Sequence, residues 1–177
     1  MQKESVTNSR IARINENSPL YQLMQNFAQE GTVDWISIRP KRKEMPVSLE
    51  EVKVSTEDGL EGDHYSNKTS KSRQVTLIQA EHLNAMASFL GKDKIDPALT
   101  RRNIVVKGIN LLALKDKQFQ IGEAILEMTG ECHPCTRMEE NLGKGGYNAM
   151  RSHGGITAKV IKDGIIRLGD KVKVWEA

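Results

Sequence analysis

Between Val33 and Val174 the chain alternates apolar and polar residues in short runs bounded by glycine, aspartate or lysine. VDWISIR (33–39), EVKVS (51–55), RQVTLI (73–78), NIVVK (103–107), AILEMT (124–129), ITAKVI (156–161), IIRL (165–168) and KVKVW (171–175) are rich in valine and isoleucine. Each is read as a strand, because branched side chains suit a pleated, half-buried surface. A helix interrupts them at 79–91, QAEHLNAMASFLG, with Leu83, Met86 and Leu90 on one stripe and Gly91 as the stop. DPALTRRN reads as a short turn of helix, with Asp96 capping and Pro97 in the first position. Ahead of the strands, SPLYQLMQNFAQEG predicts a helix with Ser18 as cap, Pro19 first and Gly31 at the exit. Leu20, Leu23, Met24 and Phe27 share one of its faces, which is expected to pack on the domain, a dimer contact being the lesser alternative.

FQIGEAILEM and IRLGDKVKVW share an order of apolar residue, glycine, acid and alternating strand. This predicts a sharp corner used twice, as in a strongly bent sheet or small barrel. Many short strands with few helices indicate a mostly β, curved, barrel-like fold rather than a doubly wound α/β sheet. The division expected is an arm and helix over 1–32, with residues 1–17 polar and loose, followed by one domain over 33–177.

Composition narrows the classes. A chain of 177 residues with 38% hydrophobic and 28% charged residues suits one soluble domain. Its excess of Lys plus Arg over Asp plus Glu gives +3, too small to argue for nucleic acid, and aromatics at 5% offer few stacking platforms. The amino end has no apolar core of signal-peptide length, and no run is long enough for a membrane helix. A bridge between the two cysteines, Cys132 and Cys135, would close too small a loop to stabilise the fold. A cytoplasmic setting with free thiols fits best.

TGECHPCTRMEENLGKGG carries the strongest candidate chemistry. It follows a strand and precedes a short helix, so Cys135 should lie near a helix amino end, where the dipole favours a thiolate. Arg137 and His133 would add positive charge. A thiolate attacks sulfur or binds a soft metal, whereas a small buried apolar cysteine is the equally weighted alternative. The C-x-x-C spacing leaves a dithiol redox site open, although the strand–helix–strand setting of such motifs is missing upstream. Structural zinc lacks a second close pair of ligands, since the other candidates are His64, His82 and His153.

Three further segments offer polar walls. In GLEGDHYSNKTSKSRQVTLI, Asp63 and His64 follow two turn glycines and precede a Ser, Thr and Lys loop able to collect an anion, or they form a solvated turn. In LTRRNIVVKGINL, Arg101, Arg102 and Asn103 stand just before a strand, and paired guanidinium donors suit phosphate; ordinary surface charge is the alternative. GGYNAMRSHGGITAKV holds glycines that permit either close approach to a ligand or simple turns.

Taken in order, GLEGDHYSNKTSKSRQVTLI, TRRNIVVKGINLLAL, FQIGEAILEMTGECHPCTRMEENL and GGITAKVIKDGIIRLGDKVKV resemble a MOSC domain, the carboxyl-terminal domain of molybdenum-cofactor sulfurases. The likeness runs from about Val33 to Val174. It implies a curved, barrel-like β-fold and one functional cysteine, which falls on Cys135. It implies either molybdenum cofactor (molybdopterin) binding, with Cys135 as metal ligand and reduction of N-hydroxylated compounds, or a sulfur carrier with a persulfide on Cys135. By the same likeness, Arg102 and Asn103 would help hold the pterin phosphate, with Asp63 and His64 bordering the cleft; Arg137, read from its charge beside Cys135, is a further cofactor-binding candidate.

The cysteine-desulfurase half of full sulfurases is absent from this sequence, so no pyridoxal phosphate domain is evident. The expected partners are a small-molecule substrate and a separate electron-transfer or sulfur-transfer protein, with neither nucleic acid nor membrane. A non-catalytic partner of a sulfur-transfer system, docking through the amino-terminal helix, is the further alternative.

Overall fold

The computed structural model describes residues 15–65 and 71–176. Among these residues eleven strands form: β1 (Gly31–Ile38), β2 (Val47–Leu49), β3 (Glu51–Ser55), β4 (Gly59–Leu60), β5 (Val75–Gln79), β6 (Ile104–Lys107), β7 (Gln118–Ile121), β8 (Ala124–Glu131), β9 (Ile156–Lys162), β10 (Gly164–Arg167) and β11 (Lys171–Val174). Strands β11, β7, β8, β9, β5, β6 and β1 pair in that order, and β11 pairs again with β1 through Gly31 and Val172. This closes a seven-stranded barrel, with β2 added outside β1. Strands β10, β3 and β4 make a separate small sheet. The only parallel pair among these strands is β5–β6, which is joined through two helices, α2 (Ala80–Phe89) and α3 (Pro97–Thr100). Such a pair needs a crossover.

Two cores result. The barrel interior buries Ile36, Leu77, Ile104, Phe119, Leu126 and Ile156 among others. Outside it, Ile78 and Val105 are covered by Leu83 and Met86 of α2 and by Met138, Leu142 and Met150 of α4 (Arg137–Leu142) and α5 (Gly146–Met150). Alternate residues of β5 and β6 thus serve opposite faces, as strand periodicity requires. The predicted stripe of α2 holds for Leu83 and Met86, and the Asp96 carboxylate caps α3 at Ala98 N, 2.9 Å away.

The repeated corner is two different devices. Gly122 turns β7 back onto β8 within the barrel, while Gly169 carries the chain from the small sheet into β11. The corners touch: a Cβ on Gly122 would stand 2.8 Å from Ile165 O and 2.2 Å from Asp170 Oδ2.

The amino-terminal helix corrects the sequence reading. α1 spans only Pro19–Leu23, with Ser18 Oγ capping Tyr21 N as expected. Leu20, Leu23 and Met24 are exposed, and only Phe27 packs against the core. A helix this short draws its stability from packing, and without a covered face it stops well before Gly31. The predicted loose arm falls mostly on residues 1–14, outside the described residues. Strands β2, β4 and β7 carry no alternation marked enough to predict them. Among the described residues no helix is long and apolar enough to cross a membrane.

Candidate functional site

The two cysteines have opposite environments: Cys132 is buried and Cys135 is exposed, both as free thiols. The buried small-apolar reading therefore falls on Cys132, not Cys135. Strand β8 delivers the segment, and Cys132 N–H donates to Gly155 O at 2.8 Å. Cys135 O then accepts Met138 N–H at 2.9 Å as α4 begins.

Arg102 ties three backbone segments together. Its Nε donates to Gly154 O (2.7 Å), Nη1 to Thr100 O (3.0 Å) and Nη2 to Cys132 O (2.9 Å). The side chain is nearly inaccessible, and three of the five N–H donors of a guanidinium are thus given to carbonyls. Gly154 makes this approach possible, since a Cβ there would lie 2.0 Å from Cys132 O. Burial is the main influence holding Arg102 below its ordinary basicity, opposed first by Cys132.

Asn103 is likewise committed to the protein. Its Oδ1 accepts from Thr76 N (3.1 Å) and Thr76 Oγ1 (2.7 Å), while Nδ2 reaches Ser37 O and Asp63 Oδ1, both at 3.4 Å. Asp63 in turn accepts Arg39 N–H at 2.7 Å and Tyr65 N–H at 3.1 Å. His64 Nδ1 lies 3.0 Å from Arg39 O. A carbonyl only accepts, so the proton of that bond sits on Nδ1. Asp63 and His64 therefore grip the main chain of Arg39, a residue that sequence reasoning did not select.

Arg39, Arg101 and Arg137 are half-buried cations next to this frame. Burial, followed by Arg102 and Arg137, lowers the Arg39 basicity, with Asp63 opposing. Burial, then Arg39 and Arg137, lowers that of Arg101, with Cys135 opposing. Arg101 also ends α3 in the left-handed region, at φ 59°. Arg73 completes the group by donating from Nη2 to Cys132 Sγ at 3.6 Å. The signal that could have found Arg39 and Arg73 is their place: each flanks a strand end, as the Arg101–Arg102 pair does. The 66–70 part of the predicted anion-collecting loop lies outside the described residues.

A concentration of cations around an exposed thiol favours an anion and a sulfur-seeking group at one place. No cluster of three or more His, Cys, Asp or Glu side chains suited to a metal occurs among the described residues. Two surface depressions, of about 470 and 390 Å³, are lined by Phe89 with Lys144 and by Asp63 with Tyr65, and neither includes Cys135.

The family model of the MOSC domain matches residues 64–173, and the chain belongs to that family. In structure it is similar to the YuaD protein from Bacillus subtilis, with a TM-score of 0.73 at 19% identity, covering 82% of this chain and 96% of that one. It is also similar to YiiM from Escherichia coli, with a TM-score of 0.63 at 19% identity over 84% of this chain and 71% of that one. For YiiM from Geobacillus stearothermophilus the TM-score is 0.67 at 14% identity, over 82% and 75%. These likenesses concern the fold. No curated protein matches the chain in sequence.

Proposed function

We propose that the chain binds molybdenum cofactor at Cys135 and reduces N-hydroxylated small molecules with electrons from a separate protein. The observation that carries this reading is the exposed Cys135 thiol within electrostatic reach of Arg101, with Arg137 two residues along the chain and Arg39 pressing on both arginines. The donor set suits the group: a thiolate is a soft ligand for molybdenum, and guanidinium forks suit a pterin phosphate. Cys135 would hold the metal, while Arg101 and Arg137 would take the phosphate. Arg102 would keep the cysteine segment in place through its three bonds to backbone carbonyls. When bound, the group supplies two-electron redox chemistry. The chain itself binds, orients and neutralises charge. Asp63 and His64 fix Arg39, and His64 presents Nε2 as an acceptor when its Nδ1 carries the proton.

The test is molybdenum and pterin analysis of protein made in a host that synthesises the cofactor. Wild type should retain both, Cys132→Ser should retain most, and Cys135→Ser should retain neither, because an alcohol is a poor soft-metal ligand. Metal-free wild type that still turns over substrate would sink the reading. The accessibility of Cys135 also favours a second one, a sulfur carrier with a persulfide there. Cyanide-labile sulfur on metal-free protein would select that alternative.

A further inference from the structure

We propose that Cys132 and Cys135 form a working dithiol that exchanges with low-molecular-weight disulfides, Cys135 entering first and Cys132 resolving. This goes beyond the ligand or carrier role of Cys135, and it applies to the free-thiol form of the site whichever role is correct.

Accessibility sets the order of events. Cys135 is exposed, whereas Cys132 is 2% exposed, so a dissolved disulfide meets only Cys135. Cys132 can then react only within the chain. Its main chain is held on both sides, by Gly155 O at its N–H and by Arg102 Nη2 at its carbonyl. The three-residue step to Cys135 runs through an exposed His133 and lies outside any helix or strand. Closing a disulfide would bring the exposed side of the loop toward a held, buried thiol.

Arg73 gives the buried thiol its chemistry. A structural cysteine in an apolar pocket is inert, because nothing stabilises the attacking anion. Here the Arg73 guanidinium donates to Cys132 Sγ at 3.6 Å. This sets the buried sulfur against a cation rather than in a wholly apolar pocket, while protein carbonyls already occupy much of Arg102.

In the first step the Cys135 thiolate attacks a disulfide RSSR, forming Cys135–S–SR and releasing RS⁻. In the second, the Cys132 thiolate attacks the Cys135 sulfur, breaking the Cys135–SR bond and releasing a second RS⁻. The two thiols lose two protons and two electrons, and RSSR is reduced to two RSH. The disulfide closes too short a loop to stabilise the fold, so its effect is to occupy Cys135 reversibly and to shield it from irreversible oxidation.

The test uses the full, metal-free chain mixed with oxidised glutathione, followed by intact mass and by peptide mapping without reduction. Wild type should pass through one glutathione adduct to a Cys132–Cys135 disulfide. Cys132→Ser and Cys132→Ala should stop at a stable adduct on Cys135. Arg73→Met should slow the second step about three- to tenfold, because the charge-assisted contact to the resolving sulfur is lost. Arg73→Lys should recover part of that loss. A wild-type chain that does not react, or that halts at the Cys135 adduct with Cys132 still reduced, overturns the proposal. An Arg73→Met chain that resolves at the wild-type rate overturns the role of Arg73.

Discussion

Arg102 Nη2 holds the carbonyl of Cys132 at 2.9 Å, so a cation nearly sealed from solvent anchors the segment that presents Cys135. The same guanidinium also holds Thr100 O and Gly154 O, which makes it the common fixing point of three loops.

Replacing Arg102 by Ala should therefore destabilise the whole domain as well as weaken any ligand. Three buried carbonyls would lose charge-assisted donors, at a cost on the order of 2–5 kcal/mol. Arg102→Lys should recover only part of this, because an ammonium cannot span three acceptors in one plane. Urea denaturation measures both. A midpoint unchanged in Arg102→Ala would show that the clamp contributes nothing.

The barrel was legible because its strands are valine- and isoleucine-rich and its corners carry glycines. β4 has two residues and β2 three, too few for alternation to register. The α1 stripe misled because amphipathic spacing says which side chains share a face, not whether anything covers it. Cys135, Arg137 and the TRRN segment stood out locally. The clamp did not, since its acceptors are backbone carbonyls of Thr100, Cys132 and Gly154, and a carbonyl leaves no mark in sequence. Arg39 and Arg73 join the group only through strand pairing, which local spacing does not contain.

Arg137 is half-buried and holds no buried carbonyl of the clamp. Arg137→Ala should therefore change stability little, within about 1 kcal/mol, while reducing cofactor retention about 10- to 100-fold. Arg137→Lys should be intermediate. Molybdenum content after dialysis, beside a thermal melt, separates the two effects. Full retention in Arg137→Ala would leave this arginine as ordinary surface charge.

Gly155 combines φ +82° with a site where a Cβ would stand 1.9 Å from Leu77 O. Gly155→Ala adds left-handed backbone strain to a backbone clash at the start of β9, a cost of about 3–5 kcal/mol. Little soluble protein should accumulate. By contrast Gly143→Ala, with nothing within 4 Å of the added carbon, meets only its φ of +90° and should remain folded. Comparing soluble yield and urea midpoint of the two variants checks the distinction.

His82 should make stability fall in mild acid. Its ring meets His153 edge-on, with centroids 4.8 Å apart, and its Nδ1 is buried without a partner among the described residues. Burial first, and then His153, lowers its basicity, with Glu81 opposing. The folded state therefore binds the proton less readily than the unfolded chain, whose imidazole titrates near ~6.5. Where the unfolded state holds more protons, stability rises with pH. The contribution is complete above the unfolded value and is lost as pH falls through the depressed folded value. The urea midpoint should thus drop between pH 7.5 and pH 5.5, and His82→Gln, which does not titrate, should show a shallower drop. Equal slopes for wild type and His82→Gln would mean that His82 is solvated well enough to titrate normally.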